Sequence, residues 1–331
     1  MKNLLKTVFA AGLGLIAGAL SPARADEALT TVNVAYDGFT MTSAPIQYTL
    51  AKGLFKKHGL DVNLVYVEGG SVLTQALVGG SIDIAQNGYT PSISAAVAGA
   101  DVVIIGSMAN KLPFQLVVDA SIQSADQLRG KSIAISKFGS STDTALKFAL
   151  KSLGLEATDV NILQLGGEGT RAAAYESHQV QGLMSQYPRT QEIVDAGSKM
   201  LVDVTEIVKD YPNTAYVTSR NYLSGHPDVV KRFFMAMGEG LHGFRANPQD
   251  AMEVTASFLK LEKGPSVEQA FRFYSEKVYP QDLRPSMPGV AAVLAEFSKT
   301  LPAAASVKPE SIVDTSTLDA LDSEGFFKAL D

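Results

Sequence analysis

Between residues 31 and 204, short runs rich in β-branched residues alternate with amphipathic helical patterns. A chain with that rhythm folds as parallel-sheet α/β, because parallel neighbours must be joined by crossovers long enough to hold a helix. The predicted strands are 31–36, 62–67, 82–85 and 102–106, followed by 132–136, 160–165, 180–184 and 200–204. Between them, Ala145, Leu146, Ala149, Leu150 and Leu153 share one face and predict a helix over 142–153. From Pro227 the pattern is helical, and Val229, Val230, Phe233, Phe234, Met237, Leu241 and Phe244 form a stripe that reads as core. Residues 302–307 read as an exposed loop.

Two segments echo each other. GLDVNLVYVEGG (59–70) and GLEATDVNILQLGG (154–167) each follow a helix, form a strand and end in Gly-Gly before another helix. GGSIDIAQNGY (79–89) and SHQVQGLMSQY (177–187) extend the correspondence. Two lobes of similar plan follow, with crossings near 113–118 and 215–219 that make a hinge. The expected division is a signal peptide at 1–25, one lobe from 26–115 and 216–331, and a second over 116–215. A ligand cleft lies between the lobes.

The first 28 residues fit export. Lys2 and Lys6 precede an apolar run from Val8 to Leu20, and Ala23-Arg24-Ala25 has the small-x-small pattern of a cleavage site. That run falls short of the ~20 residues a spanning helix needs. Cleavage after Ala25 removes three cations and no acid, so the formal charge of −6 becomes −9. Such an acidic balance argues against nucleic-acid or anionic-membrane partners, which need a basic face. It leaves a small anionic ligand open, because a pocket can be locally positive. The chain has no cysteine, which excludes disulfides, thiolate metal sites, thiol nucleophiles and a cysteine lipid anchor. The expected location is the periplasm.

No catalytic or metal motif emerges. There is no G-x-S-x-G elbow, H-E-x-x-H, calcium loop or P-loop, and His58, His178, His226 and His242 have no nucleophile and carboxylate beside them in sequence. The expectation is therefore no catalytic residue, no metal and no cofactor. Five polar or glycine-rich loops do recur at strand ends, at 37–43, 69–71, 87–90, 138–142 and 166–170. In open α/β sheets ligands bind at that edge, where helix amino termini offer unpaired N–H groups. Gly139 permits a turn, and Ser140, Ser141 and Thr142 bring hydroxyls to a helix start, which together suit an anion. N-capping is the plain alternative for at least one of them. Tyr36, Phe39, Tyr89, Phe138 and Tyr187 cluster at the same loops and suggest a cleft with apolar walls.

The segments 50–70, 76–107, 124–155 and 226–251 resemble, in order, the periplasmic binding proteins of the nitrate/sulfonate/taurine importers, a group that includes binders of thiamin-pyrimidine precursors. The resemblance implies a two-lobed type II periplasmic binding protein fold, each lobe a mainly parallel sheet flanked by helices, with a helical C-terminal region. It implies a monomer that closes on a small-molecule ligand and docks on an ABC permease served by a cytoplasmic ATPase. The ligand loops it implies contribute Asp37, Phe39, Gly70, Ser71, Asn87, Tyr89, Thr90, Ser140, Ser141, Thr142, Gln186 and Tyr187, to which the aromatic pattern adds Phe138. The leading ligand class is a small organic anion, a sulfonate or carboxylate, with an aromatic one among the candidates. The alternatives are a neutral or cationic heterocycle, an enzyme on the same fold, and a sensor subunit for a membrane receptor. The chain has no Trp, so a tryptophan-lined subsite is absent.

Overall fold

A computed structural model describes residues 28–299 and 301–330. The signal-peptide expectation at 1–25 lies outside the described residues. Two five-stranded sheets organise the chain. The first is built from β1 (Thr30–Tyr36), β2 (Leu60–Tyr66), β3 (Ile84–Gly88), β4 (Val103–Ala109) and, much later, β10 (Thr214–Thr218). The second is built from β5 (Gln115–Val118), β6 (Ser132–Ile135), β7 (Asn161–Gln164), β8 (Gly182–Ser185) and β9 (Lys199–Asp203).

The sheet orders are β2-β1-β3-β10-β4 and β7-β6-β8-β5-β9. They are the same order: the second strand at the edge, then the first, then the third, then an inserted strand, then the fourth. The echo in the sequence thus has a structural counterpart. Leu60 pairs with Thr30 at the start of β1 as Asn161 pairs with Ser132 at the start of β6, both in parallel. The segments 79–89 and 177–187 supply β3 and β8, each beside the first strand of its sheet.

The eight strands expected from the rhythm all form, with ends moved by one to three residues. What the rhythm does not reveal is the use of the two crossings. Each becomes the inserted strand of a sheet and runs antiparallel to both neighbours: β5 between β8 and β9, β10 between β3 and β4. Both are buried throughout, since helices cover the two faces of each sheet.

The stripe on the helix Pro227–Ala246 behaves as its spacing requires. Val229, Val230, Phe233, Phe234, Met237, Leu241 and Phe244 are all buried, packed with Val32, Val34 and Ile105 of the first sheet. A second cluster runs from Ala35 and Val217 through Leu112, Phe114 and Tyr211 to Ile133 and Leu146, so the two sheets share one apolar connection at the crossings. Residues 302–307 are mostly exposed, as expected, but Pro302–Ser306 wind into a 3-10 turn rather than a loop and bury Ala304, and the chain then pairs Val313 with Ile104.

Candidate functional site

The carboxyl ends of β1, β2, β3, β6, β7 and β8 face a common cavity of about 290 Å³, lined from both sheets. Asp37 follows β1 directly. Its Oδ2 accepts the Gly88 N–H at 3.1 Å. Gly70 starts the helix Gly70–Val78 against it, and a Cβ there would stand 2.7 Å from Asn87 Oδ1 and 3.0 Å from Asp37 Oδ2. Only glycine lets that helix start come so close. Desolvation pushes the Asp37 carboxyl up to about 6, against the opposing pull of the Gly88 N–H.

From the second sheet comes the turn after β6. Gly139 has φ +74, a left-handed conformation suited to glycine, and Ser140 caps the helix Ser141–Ser152 by accepting the Asp143 N–H at 3.4 Å. Thr142 Oγ1 accepts the Ser136 N–H at 2.9 Å and lies 2.9 Å from Ser136 Oγ and Ser140 Oγ. These two hydroxyls are spent within the turn. Ser141 is different. Its Oγ is directed at Gly88 across the cleft, 2.9 Å from where a Cβ would lie, and bonds to nothing among the described residues. The Ser141 and Thr142 N–H groups begin the helix and have no intrahelical carbonyl.

A third helix, Glu168–Glu176, starts at the cleft after β7. Glu68 reaches across from the first sheet, and its Oε1 accepts the Gly167 N–H at 2.6 Å. Glu168 turns inward, accepting from Ser185 Oγ at 2.6 Å and pairing with Arg171. Arg171 is itself buried, its Nε donating to the Met184 carbonyl at 3.1 Å and its guanidinium to the Gly166 carbonyl. One aromatic wall completes the cavity. Phe39 is 40% exposed and stacks on Phe258 at 5.2 Å, with the Tyr66 ring 4.5 Å away. Burial pushes the Tyr66 hydroxyl up to about 12, which keeps it a neutral donor.

Of the residues singled out from sequence, Asp37, Phe39, Gly70, Ser140, Ser141, Thr142 and Gln186 line this cavity. Tyr187 lines an adjoining one. The structure places the other five elsewhere. Asn87 is buried and donates to Thr74 Oγ1 and Ser92 Oγ, holding the β3 end rather than facing the cavity. Tyr89 packs in the core. Thr90 and Phe138 line a separate cavity with Lys147 and Tyr211, and Ser71, one residue after Gly70, is not among the residues lining this one. The chain passes from strand to helix between Gly88 and Tyr89, which buries Tyr89 and Thr90 away from this cavity. Among the lining residues missed, such as Tyr66, Ser136 and Asn213, the charged ones matter most: Glu68, Glu168 and Arg171. The last two sit three apart in GGEGTR, an ion-pair spacing that a helix start makes usable.

A pH dependence follows from Asp37. Its folded-state pKa is raised, so its stabilising contribution is full below about pH 4 and is lost as pH rises through about 6. The same proton controls charge in the cavity. Affinity for an anion should rise roughly tenfold as pH falls through 6, and Asp37→Asn should flatten that profile. Calorimetric titration from pH 5 to 8 checks it; an unchanged slope in the variant refutes it.

The comparisons with known proteins agree in kind. A Brucella abortus (strain 2308) protein named only as a binding protein is 28% identical over 216 residues, which cover 64% of this chain and 66% of that one. The taurine-binding periplasmic protein of Escherichia coli K12 is 28% identical over 238 residues, 70% of this chain and 72% of that one. Among solved structures, the alkanesulfonate-binding protein of Xanthomonas axonopodis pv. citri, bound to MOPS, matches with a TM-score of 0.73 at 20% identity, covering 87% of this chain and 99% of that one. That likeness establishes the two-lobed periplasmic binding protein fold. Residues 40–251, from the cleft loop after β1 to the start of the helix Pro248–Leu259, match the family described as NMT1/THI5 like, and the chain belongs to that family.

Proposed function

We propose that this chain is the periplasmic solute-binding component of an ABC importer, taking a small organic acid, a sulfonate or carboxylate, into the cavity between its sheets. The observation that carries the reading is the convergence of three helix starts, at Gly70, Ser141 and Glu168, on one cavity. Helix starts carry partial positive charge and unpaired N–H groups, and those at Ser141 and Thr142 lie beside an unused hydroxyl. The names of the relatives, one of them a taurine-binding protein, support the class. Binding without turnover fits the lining, since among the described residues no histidine faces the cavity to activate Ser141. The expected partners are an inner-membrane permease and its ATPase. No helix among the described residues is long and apolar enough to cross a membrane.

A second reading has its own observation. Asp37, Glu68 and Glu168 line the cavity against the single guanidinium of Arg171, which favours a ligand carrying positive charge. The two readings differ in sign. A cation loses affinity as pH falls through 6, where an anion gains it.

The turn residues give the direct test. Ser141→Ala should weaken acid binding about tenfold by removing a free donor, and should change stability by under about 0.5 kcal/mol. Thr142→Ala should instead lower stability by about 1 kcal/mol, because it unpairs the Ser136 N–H. A saturating acid should raise the melting temperature, by about 2.7 kcal/mol of stabilisation at a hundredfold excess over Kd, and compact the protein in small-angle scattering. Unaltered acid binding in Ser141→Ala removes the turn from the site.

A further inference from the structure

The cavity does not end at Phe39. It opens into a second chamber of about 190 Å³ that shares Phe39, Thr40, Glu168, Gly169 and Gln186 with the first. Beyond that junction the character changes. One side is Tyr187, Pro188 and Arg189, following β8, with Arg189 paired to Glu192, and the other is Leu259, Lys260 and Leu261, where the helix Pro248–Leu259 ends. Lys260 is exposed and holds a left-handed φ of 56 at that end, with a leucine on either side of it in the chain.

Two features of this arm are unexplained by the packing of the protein itself. Phe39 leaves much of its ring uncovered although Phe258 and Tyr66 fix it from behind. A large apolar side chain held rigid and bare at a chamber junction is a surface for a second flat group. Gln186 sits at the same junction, 3% exposed, and its Oε1 has no hydrogen-bond partner. A buried amide oxygen left unpaired is costly, so the arrangement fits a donor arriving from outside.

We infer that the ligand is a two-part molecule: its acidic head lies among the helix starts, and an aromatic body extends across Phe39 into the arm between Pro188 and Leu261, with a hydrogen-bond donor opposite Gln186. The preferred class is thus an aryl-substituted organic acid rather than a short alkyl one. This inference rests on the solute-binding reading of the inner cavity; it adds Leu259 and Leu261 as specificity-determining residues and gives Gln186 the role of acceptor for the ligand's donor.

Ethanesulfonate, benzenesulfonate and 4-aminobenzenesulfonate separate head from body, and benzamide supplies a ring with no acid. Calorimetry on the exported protein should show benzenesulfonate binding at least about tenfold tighter than ethanesulfonate. The amino group should add a further severalfold that Gln186→Leu removes. Leu261→Ser should erase the ring increment and leave ethanesulfonate binding as it was. Equal affinity for ethanesulfonate and benzenesulfonate overturns the arm while the acid reading stands. Benzamide binding that Leu261→Ser abolishes, with no acid binding at all, keeps the arm and overturns the acid reading. If no probe binds, both are wrong.

Discussion

Arg171→Ala should destabilise the protein by about 3–5 kcal/mol, more than the loss of any surface ion pair would. The guanidinium is buried and serves three acceptors at once: the Met184 carbonyl of β8, the Gly166 carbonyl and the Glu168 carboxylate. Removing it leaves Glu168, whose side chain is only 10% exposed, with the neutral donors Ser185 Oγ and the Gln186 N–H. An uncompensated buried charge is the main cost. The double variant Arg171→Met/Glu168→Gln should therefore recover most of the loss, which is the sign that charge rather than volume was responsible. Urea unfolding of the wild type and the two variants measures this. A single-variant loss below about 1 kcal/mol would show that water already reaches the pair. Ligand affinity should fall in Arg171→Ala as well, because the Gly166–Met184 tie sets the start of the helix at the cavity.

Phe234→Ala should cost a similar 3–5 kcal/mol for a different reason. Phe234 is fully buried under the first sheet, 5.8 Å from the Tyr216 ring and 5.6 Å from Phe233. Its ring lies so close to β4 that a Cβ on Gly106 would come within 2.6 Å of it. The strand gives up a side chain at that position to seat the ring. Truncation leaves a cavity that backbone cannot fill, and Gly106→Ala should itself cost about 1–3 kcal/mol by overpacking. Gly106→Ala in a Phe234→Leu background should cost less than in the wild type, since the added methyl then has space. The check is a shift in the denaturant midpoint with an unchanged ligand Kd, because neither residue lines the cavity. Normal stability in Phe234→Ala would mean the helix Pro227–Ala246 can settle onto the sheet.

The fold was legible where side-chain spacing decides it. Val32, Val34 and the stripe from Val229 to Phe244 each mark a buried face, and burial follows the marks. The direction of β5 and β10 was not legible, because LVV and AYV look the same entering a sheet from either end. At the site, the loops were readable from glycine and hydroxyl residues at strand ends, but the side chains inside them were not. Ser140, Ser141 and Thr142 are alike in sequence, and only the position of Ser136 decides that two are consumed and one is free. Asn87 lies in β3 itself, and Tyr89 and Thr90 open a helix directly at its end, without the turn that separates β6 from the helix Ser141–Ser152. Glu68 was missed because its partner is a backbone N–H in the other lobe, which leaves no trace in the sequence.

The exchanged strands carry one more consequence, for the order in which the chain can be finished. β10 lies between β3 and β4, yet about 105 residues separate β4 from it, and the whole second sheet is made in between. Until residue 218 leaves the ribosome, the first sheet has an empty slot between β3 and β4. Pairings this distant in sequence form slowly. The amino-terminal half therefore completes its sheet late, in step with the second sheet rather than ahead of it.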